Sequence, residues 1–220
     1  MNIHALRLCL VTHLQNESFH SYKNFILKAI EGGITSVQLR EKTSDLKKLF
    51  ILASQLKSIL QPFNIPLIIN DHVEFAKKID ADGVHLGQSD LSPDEARKIL
   101  GPAKLIGLSV ESFTELEIAN QLTSINYIAA SAVFPSKNKS NCKTIWGMDG
   151  LRKITEMSKH PVIAIGGINS SNIGTIIDNG AFGAAVISAI HDHDPKKAAA
   201  DLIIEFKKRG FYASGNENKK

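Results

Sequence analysis

Short apolar runs that end in polar residues recur along the chain. Two of them, Pro66–Ile69 and Gly83–Leu86, flank a stretch that can form a helix, and each leads into a polar segment containing an aspartate, Asp71 or Asp90. A continuous apolar run bounded by turn residues is typical of a strand buried on both faces. Two such strands joined by a helix form a parallel β-α-β unit, whose strand ends face the same way. The pattern therefore predicts that Asp71 and Asp90 lie near each other.

The same order of strand and helix repeats from one end of the chain to the other. The predicted strands are Leu6–Thr12, Ser36–Leu39, Pro66–Ile69, Gly83–Leu86, Leu105–Val110, Tyr127–Phe134, Pro161–Ile165 and Gly183–Ile187. Eight strands alternating with eight helices predict an α/β protein, a single-domain (β/α)₈ TIM barrel over residues 1–209. We expect residues 210–220 to form a flexible tail. An open doubly wound sheet is the alternative, and the missing G-x-G-x-x-G after the first strand counts against it.

Several helix boundaries are marked by capping residues. Ser92, followed by Pro93 and Glu95, has the order of an N-cap, a first-turn proline and a capping box. Ser112 and Glu115 repeat the capping-box spacing before the next helix. Asp194 before a proline predicts the start of the last helix, which explains this aspartate better than a metal-binding His-Asp-His-Asp tract would.

Composition and charge limit the classes of function. The 220 residues are 43% hydrophobic and 22% charged, with a formal net charge of +4 and a pI of about 9.0. This mild, dispersed excess suits small anionic substrates better than nucleic acid. Two cysteines without metal-ligand spacing, no secretory leader and no long apolar run predict a reduced cytoplasmic protein that does not enter membranes. Whether it forms a homo-oligomer stays open.

Active sites of (β/α)₈ barrels lie where the strands end, so the residues at those ends are the candidates. Gln38, Arg40 and Lys42 alternate along strand two and can point the same way, as an anion cradle or simply as a solvated turn. Asp71 and Asp90 suit Mg²⁺, which takes oxygen ligands and leaves positions for substrate phosphate; the alternative is two ordinary loop acids.

The later strands contribute small polar groups and glycines. Strand five supplies Ser109 near its end, and Ser136, Asn138 and Lys139 follow strand six. The glycines after strand seven and Ile187-Ser188 after strand eight would let backbone N–H groups approach a phosphate, although a Gly-Gly pair can also be a plain turn. Two anion-binding ends imply two anionic substrates or one long one. We expect His85 to be a core histidine with satisfied hydrogen bonds, and we assign no catalytic nucleophile or base.

The ordered motifs QLREK, IIND, GVHLGQSD, FPSKNK, AIGGI and VISAI resemble those of the thiamine-phosphate synthase family. The resemblance runs from strand one through strand eight. It implies a Mg²⁺-dependent barrel that joins hydroxymethylpyrimidine diphosphate to a thiazole phosphate and releases pyrophosphate. The implied work of the protein is positioning and electrostatic stabilisation of the departing pyrophosphate, without a protein nucleophile.

The same resemblance implies a role for each motif residue. By matching positions, the segment that holds the pyrimidine diphosphate is Gln38, Arg40, Glu41 and Lys42, with Asn70 and Ser109 on the diphosphate side. The magnesium ligands are Asp71 and Asp90. Lys139 matches the lysine of the family's Pro-Thr-x-Thr-Lys loop, and Ser136 and Asn138 match its two threonines, which approach the thiazole phosphate. The backbone phosphate site is Gly167, Ile187 and Ser188.

Three positions depart from the family pattern, and three other functions stay as alternatives. Asn138 replaces a threonine, Glu111 stands where a histidine is usual, and Ser131-Ala132 replaces Gly-Pro. A thiazole tautomerase-like isomerase on the same scaffold is the first alternative, but it would not need the diphosphate apparatus. A barrel acting on a sugar phosphate and a non-catalytic ligand-binding barrel are the others.

Overall fold

The computed structural model describes residues 3–13, 19–41, 45–136, 143–191 and 194–211. Within these ranges, eight parallel strands form a closed barrel in which each strand pairs with the next and the eighth pairs with the first. The strands are β1 (Leu8–Val11), β2 (Ser36–Leu39), β3 (Leu67–Asn70), β4 (Gly83–Leu86), β5 (Leu105–Val110), β6 (Tyr127–Ser131), β7 (Val162–Ile165) and β8 (Gly183–Val186). The predicted (β/α)₈ barrel is confirmed.

Helices cover the outside of this barrel. In the described part of the chain they are α1 (Phe19–Gly32), α2 (Leu46–Leu60), α3 (Val73–Lys78), α4 (Pro93–Leu100), α5 (Phe113–Ala119), α6 (Gly147–Met157), α7 (Ile173–Asp178), α8 (Ser188–His191) and α9 (Pro195–Lys208). The short helix α8 was not predicted, because four residues are too few to show helical periodicity. None of the described helices is long and apolar enough to cross a membrane.

Strand β6 ends earlier than its apolar run suggested. After Ser131 the chain begins to pair with the segment that returns from the next loop: the Ala132 N–H donates to Thr144 O at 3.3 Å, and the Trp146 N–H donates to Ala132 O at 2.9 Å. The Trp146 indole donates to Ser131 O at 3.2 Å. These residues are as apolar as a strand, so hydropathy alone did not place the boundary.

Side chains alternate between two buried layers. Val37 and Leu39 pack outward against the helices, whereas Cys9, Ile68 and Tyr127 fill the inside of the barrel. The strand register places four polar residues, Gln38, Asn70, His85 and Ser109, in the inward phase near the C-terminal mouth. Period-two alternation therefore selects which polar residues can meet there.

Helix capping follows the predicted residues but differs in its bonds. Ser92, Ser112 and Asp194 each accept a hydrogen bond from a backbone N–H of the first turn. The predicted capping boxes close differently: the Ser92 hydroxyl itself donates to the Glu95 carboxylate at 2.7 Å. The second box is shifted by one residue, because the Glu115 carboxylate accepts from the N–H of Glu111 at 2.6 Å.

The N-terminal end of the barrel is closed by a buried arginine. The Arg7 guanidinium lies 3.7 Å from the ring centre of Phe182 and 4.4 Å from that of Phe211, and it donates to Phe182 O. Phe211 therefore packs against the barrel although it follows the predicted end of the domain. The rest of the predicted tail, residues 212–220, lies outside the described residues.

Candidate active site at the C-terminal mouth of the barrel

Asp71 and Asp90 come together at the mouth, beyond β3 and β4. Asp71 has a left-handed backbone, with φ of 67°, and its N–H donates to His85 O at 2.8 Å, which anchors it to the neighbouring strand. In the turn after β4, the Asp90 carboxylate accepts a hydrogen bond from the Gly87 N–H at 2.6 Å. These backbone contacts aim both carboxylates at the same place, and we call the pair the carboxylate end.

The two carboxylates are close enough to compete for a proton. Partial loss of hydration is the largest cause that raises the pKa of Asp71 to about 7, although part of the residue is exposed to solvent. The hydrogen bond with Asp90 and the charge of Asp90 are the next causes that raise this pKa. The positive charge of Arg40 and a hydrogen bond from Asn70 lower it, but by less. Two carboxylates in this arrangement attract a cation strongly.

The donor set fits Mg²⁺ and fits less well the metals that need a full protein cage. Among the described residues, no group of three histidine, cysteine or acidic side chains could hold a metal ion. Mg²⁺ is commonly held by one or two carboxylates while waters and substrate phosphates complete its octahedron. A pair of carboxylates facing an open mouth meets that requirement.

The end of β2 is organised by Thr12, which sequence reasoning missed. The Thr12 hydroxyl accepts from the Arg40 N–H at 2.9 Å and donates to the Glu41 carboxylate at 2.7 Å. Glu41 is thereby turned toward β1, while Gln38 is buried inside the barrel. The signal that could have identified Thr12 is its place as the polar residue that closes the first apolar run.

A small cavity of about 60 Å³, partly open to solvent, lies at the mouth of the barrel. Arg40 lines it from β2, and the lining from the opposite strands includes Ser131, Ser136, Gly166, Gly167, Ile187 and Ser188. Because the charge of Arg40 also acts on Asp71, this one residue connects the carboxylate end with the cavity.

The far side of the cavity is built from backbone, and we call Gly166, Gly167 and Ser188 the glycine end. Gly166 and Gly167 have φ values of 99° and 63°, a region that side-chain-bearing residues rarely adopt. A Cβ on Gly167 would lie 2.7 Å from Phe134 Cβ and 2.9 Å from Pro135 O. Both the backbone conformation and the space therefore require glycine here.

Ser109 belongs to a largely buried series of hydrogen-bonded side chains. His85 is only 6% exposed, and its ring lies 2.9 Å from the Ser109 hydroxyl through Nε2 and 3.0 Å from the Tyr127 hydroxyl through Nδ1. The Gln88 side-chain amide donates to Ser109 O at 2.6 Å. His85 is thus a buried histidine with both nitrogens bonded, as predicted, but its partner Tyr127 was not foreseen.

The structure gathers the predicted residues into two groups. Gln38, Arg40, Asn70, Asp71, Asp90 and Ser109 belong to adjacent strand ends β2 to β5, and Arg40, Ser136, Gly167, Ile187 and Ser188 surround the cavity. Three predicted residues, Lys42, Asn138 and Lys139, lie outside the described residues. The roles assigned to all of these residues stay predictions.

Two of the departures from the family pattern have defined surroundings. Glu111 accepts a hydrogen bond from the Lys143 N–H at 3.2 Å, and its neighbour Glu115 pairs with the Lys143 ammonium at 3.4 Å. Ser131 and Ala132 line the cavity. Glu111 therefore secures the chain where it returns toward α6.

Comparison with known proteins identifies the family. Residues 8–190 match the family model described as thiamine monophosphate synthase. The chain belongs to this family. It is 46% identical over 202 residues to the thiamine-phosphate synthase of Vibrio campbellii, which covers 91% of this chain and 98% of the relative. Membership makes the chain an enzyme of the transferase class.

Solved structures agree at the level of the fold. Thiamine phosphate pyrophosphorylase from Pyrococcus furiosus superimposes with a TM-score of 0.84 at 32% identity, covering 94% of this chain and 98% of that one. A 3-hexulose-6-phosphate synthase superimposes with a TM-score of 0.69 at 17% identity, covering 91% of this chain and 99% of that one. The second likeness concerns the barrel alone and says nothing for a sugar-phosphate substrate.

Proposed function

We propose that the enzyme joins 4-amino-2-methyl-5-hydroxymethylpyrimidine diphosphate to a thiazole phosphate and releases pyrophosphate, with Mg²⁺ held by Asp71 and Asp90. The observation that carries this is the position of Arg40. It acts on the carboxylate end and lines the cavity that the glycine end closes, so two phosphorylated groups can be held on either side of it. The relatives named above supply the reaction class.

In this proposal the carboxylate end binds the diphosphate. The bond between the pyrimidine methylene carbon and the diphosphate oxygen breaks, and the electron pair leaves with pyrophosphate. Bound Mg²⁺ would neutralise part of the charge that develops on the leaving group. Arg40 adds a planar set of N–H donors, and Asn70 and Ser109 add neutral donors at the ends of neighbouring strands. By family resemblance, Lys42 and Lys139 would contribute further positive charge.

The glycine end holds the other substrate. Gly167, Ile187 and Ser188 line the cavity, and their backbone N–H groups would bind a phosphate without adding charge. By resemblance, Ser136 and Asn138 approach the same phosphate. The thiazole nitrogen then attacks the methylene carbon, whose positive charge is shared by the aminopyrimidine ring. No protein base is required, since the attacking nitrogen carries no proton, and the enzyme contributes orientation and electrostatics.

The test is a reconstitution with both partners and purified protein. We expect pyrophosphate release that requires the pyrimidine diphosphate, the thiazole phosphate and Mg²⁺ together, and that stops when EDTA is added. Release without the thiazole partner would indicate simple hydrolysis. No release under any condition would contradict the proposal, and the thiazole partner incubated alone and followed by NMR would then test the tautomerase alternative.

A further inference from the structure

Two buried side chains, His85 and Tyr127, form a series of hydrogen bonds that leads from the Ser109 hydroxyl into the barrel. Tyr127, at the start of β6, is 3% exposed and lies 3.0 Å from His85 Nδ1, and His85 Nε2 lies 2.9 Å from Ser109 Oγ. The His85 and Tyr127 rings also stack, with centroids 5.5 Å apart and planes 27° apart. The three residues come from β4, β5 and β6, so the contact depends on the barrel register.

Gly107 creates the space for this chain. A Cβ at this position would overlap the Tyr127 ring and hydroxyl, and it would lie 2.6 Å from His85 Nδ1. Gly107 lies in the regular strand β5 and does not have a positive φ. Its backbone conformation therefore does not require glycine. The missing side chain is what allows the tyrosine and the histidine to meet.

The heavy atoms allow two arrangements of protons. If the phenol donates to Nδ1, then Nε2 carries a proton and donates to Ser109 Oγ, which leaves the serine proton directed elsewhere. If Nδ1 carries the proton, Nε2 must accept from Ser109, and the serine cannot donate to a ligand. The two tautomers thus give Ser109 opposite roles toward an anion.

Burial of Tyr127 decides between these arrangements. Burial raises the pKa of the phenol well above its ordinary value, so the hydroxyl keeps its proton. Within the described residues, His85 Nδ1 is the one hydrogen-bond partner of that hydroxyl. A buried O–H without an acceptor is unfavourable, so the phenol donates and the imidazole carries its proton on Nε2.

We propose that Tyr127 and His85 are positioning residues that fix Ser109 as a hydrogen-bond donor to the diphosphate. Tyr127 donates to His85, His85 donates to Ser109, and Ser109 donates to an anionic oxygen of the ligand. The inference rests on the proposed function for the identity of the ligand. The direction in which these hydrogen bonds donate is a property of the free protein.

The first measurement is the protonation state of His85 in the ligand-free enzyme by ¹⁵N NMR of the imidazole, assigned with the His85→Gln variant. We expect the Nε2–H tautomer. A proton on Nδ1, alone or together with one on Nε2, would overturn the proposal. This experiment needs no substrate and no turnover, so its failure is distinct from failure of the proposed function.

The second measurement is a double-mutant cycle on binding of inorganic pyrophosphate with Mg²⁺, by calorimetry. Tyr127→Phe and Ser109→Ala should each weaken binding about tenfold, the loss expected for one hydrogen bond to a charged group. The double variant should bind no more weakly than Ser109→Ala, because Tyr127 acts through the serine. Independent, multiplied effects would overturn the proposal.

Tyr22→Phe is the matched control. It also removes a buried tyrosine hydroxyl, but Tyr22 lies in helix α1, in the outer layer of the core. It should leave pyrophosphate affinity unchanged. An equal loss in Tyr22→Phe would show that general loosening of the core explains the Tyr127→Phe result and would overturn the proposal. If Tyr127→Phe does not fold, the wild-type tautomer still decides.

Discussion

The carboxylate end and the glycine end of the mouth differ in chemistry, although we propose that each binds a phosphate group. The carboxylate end consists of charged side chains, and in the proposed function it would act through a bound cation and the nearby Arg40. The glycine end consists of two glycines and a serine that line the cavity. A site made from side chains responds to changes of charge, pH and salt, whereas a site made from backbone responds to added volume. The carboxylate end should therefore be sensitive to electrostatic changes, and the glycine end should be sensitive to steric ones.

The largest effect that follows from this comparison is on turnover. Asp71→Asn should lower the rate of pyrophosphate release by about 100-fold or more, because it removes a fixed charge from the carboxylate end. The measurement is steady-state turnover at saturating Mg²⁺. Activity near wild type in both Asp71→Asn and Asp90→Asn would refute the metal assignment.

Asp80→Asn is the matched control for Asp71→Asn. Asp80 also has a positive φ, 51°, so asparagine suits both backbones equally. It is exposed and pairs with Lys57 at 3.1 Å and Lys104 at 2.5 Å, before β4 begins and thus at the opposite end of the barrel. Its removal should leave turnover within about twofold and cost less than about 1 kcal/mol of stability.

A steric change should affect the glycine end selectively. Gly167→Ala should lower kcat/KM for the thiazole phosphate by at least about tenfold, because the added carbon meets Phe134 and Pro135 and strains a left-handed backbone. The KM for the pyrimidine diphosphate should change much less. Equal changes for both substrates would show that the two ends are not separate.

Gly101→Ala separates strain from function in that experiment. Gly101 has a φ of 80°, but no atom lies within 4 Å of the position a Cβ would take. We expect it to lose about 1 kcal/mol of stability from backbone strain alone. Its kinetic constants should match those of the wild type.

Ionic strength should have a smaller effect that also differs between the carboxylate end and the glycine end. Raising ionic strength from about 0.05 to 0.5 M shortens the screening length severalfold, which weakens attraction by charged side chains. We expect the KM for the diphosphate to rise about threefold more than the KM for the thiazole phosphate at constant free Mg²⁺. A larger rise for the thiazole phosphate would reverse the assignment of the two ends.

The smallest effect is a gain in stability that accompanies the loss of activity. The pKa of Asp71 is raised to about 7 in the folded protein, from an ordinary value of 3.8. Between about pH 4 and pH 7 the folded state therefore keeps a proton that the unfolded state has lost, and stability falls as pH rises through this window. Solvent screens the exposed carboxylate, so we expect the cost at pH 8 to be about 1 kcal/mol rather than the full value of the shift.

Asp71→Asn should remove that pH dependence. In EDTA at pH 8 the variant should be more stable than the wild type by about 1 kcal/mol, as measured by denaturant unfolding, with no difference near pH 3.5. Saturating Mg²⁺ should reverse the order, because the ion stabilises only the protein that binds it. An unchanged pH dependence in Asp71→Asn would place the titrating group elsewhere.

The extent to which the sequence predicted the site differed between its two ends. The apolar runs before Asp71 and Asp90 predicted adjacent parallel strands, and adjacency alone brings the two carboxylates together. Gly166 and Gly167 were predicted as a backbone phosphate site from their position after strand seven, with a plain turn as the alternative. Their positive φ values and their contacts with Phe134 and Pro135 depend on how the segment after β6 crosses the mouth, which hydropathy does not describe.

The sequence by itself determined the number and order of the strands and hence which polar residues stand at the strand ends. These properties follow from local periodicity, because each strand is buried on both faces and each helix on one. Only the tertiary structure decided that Thr12 holds the start of the β2 loop, that Gly107 makes room for Tyr127 against His85, and that Arg40 connects the two ends. Those contacts join residues far apart in sequence, and they depend on the closure and stagger of the barrel, which no local pattern encodes.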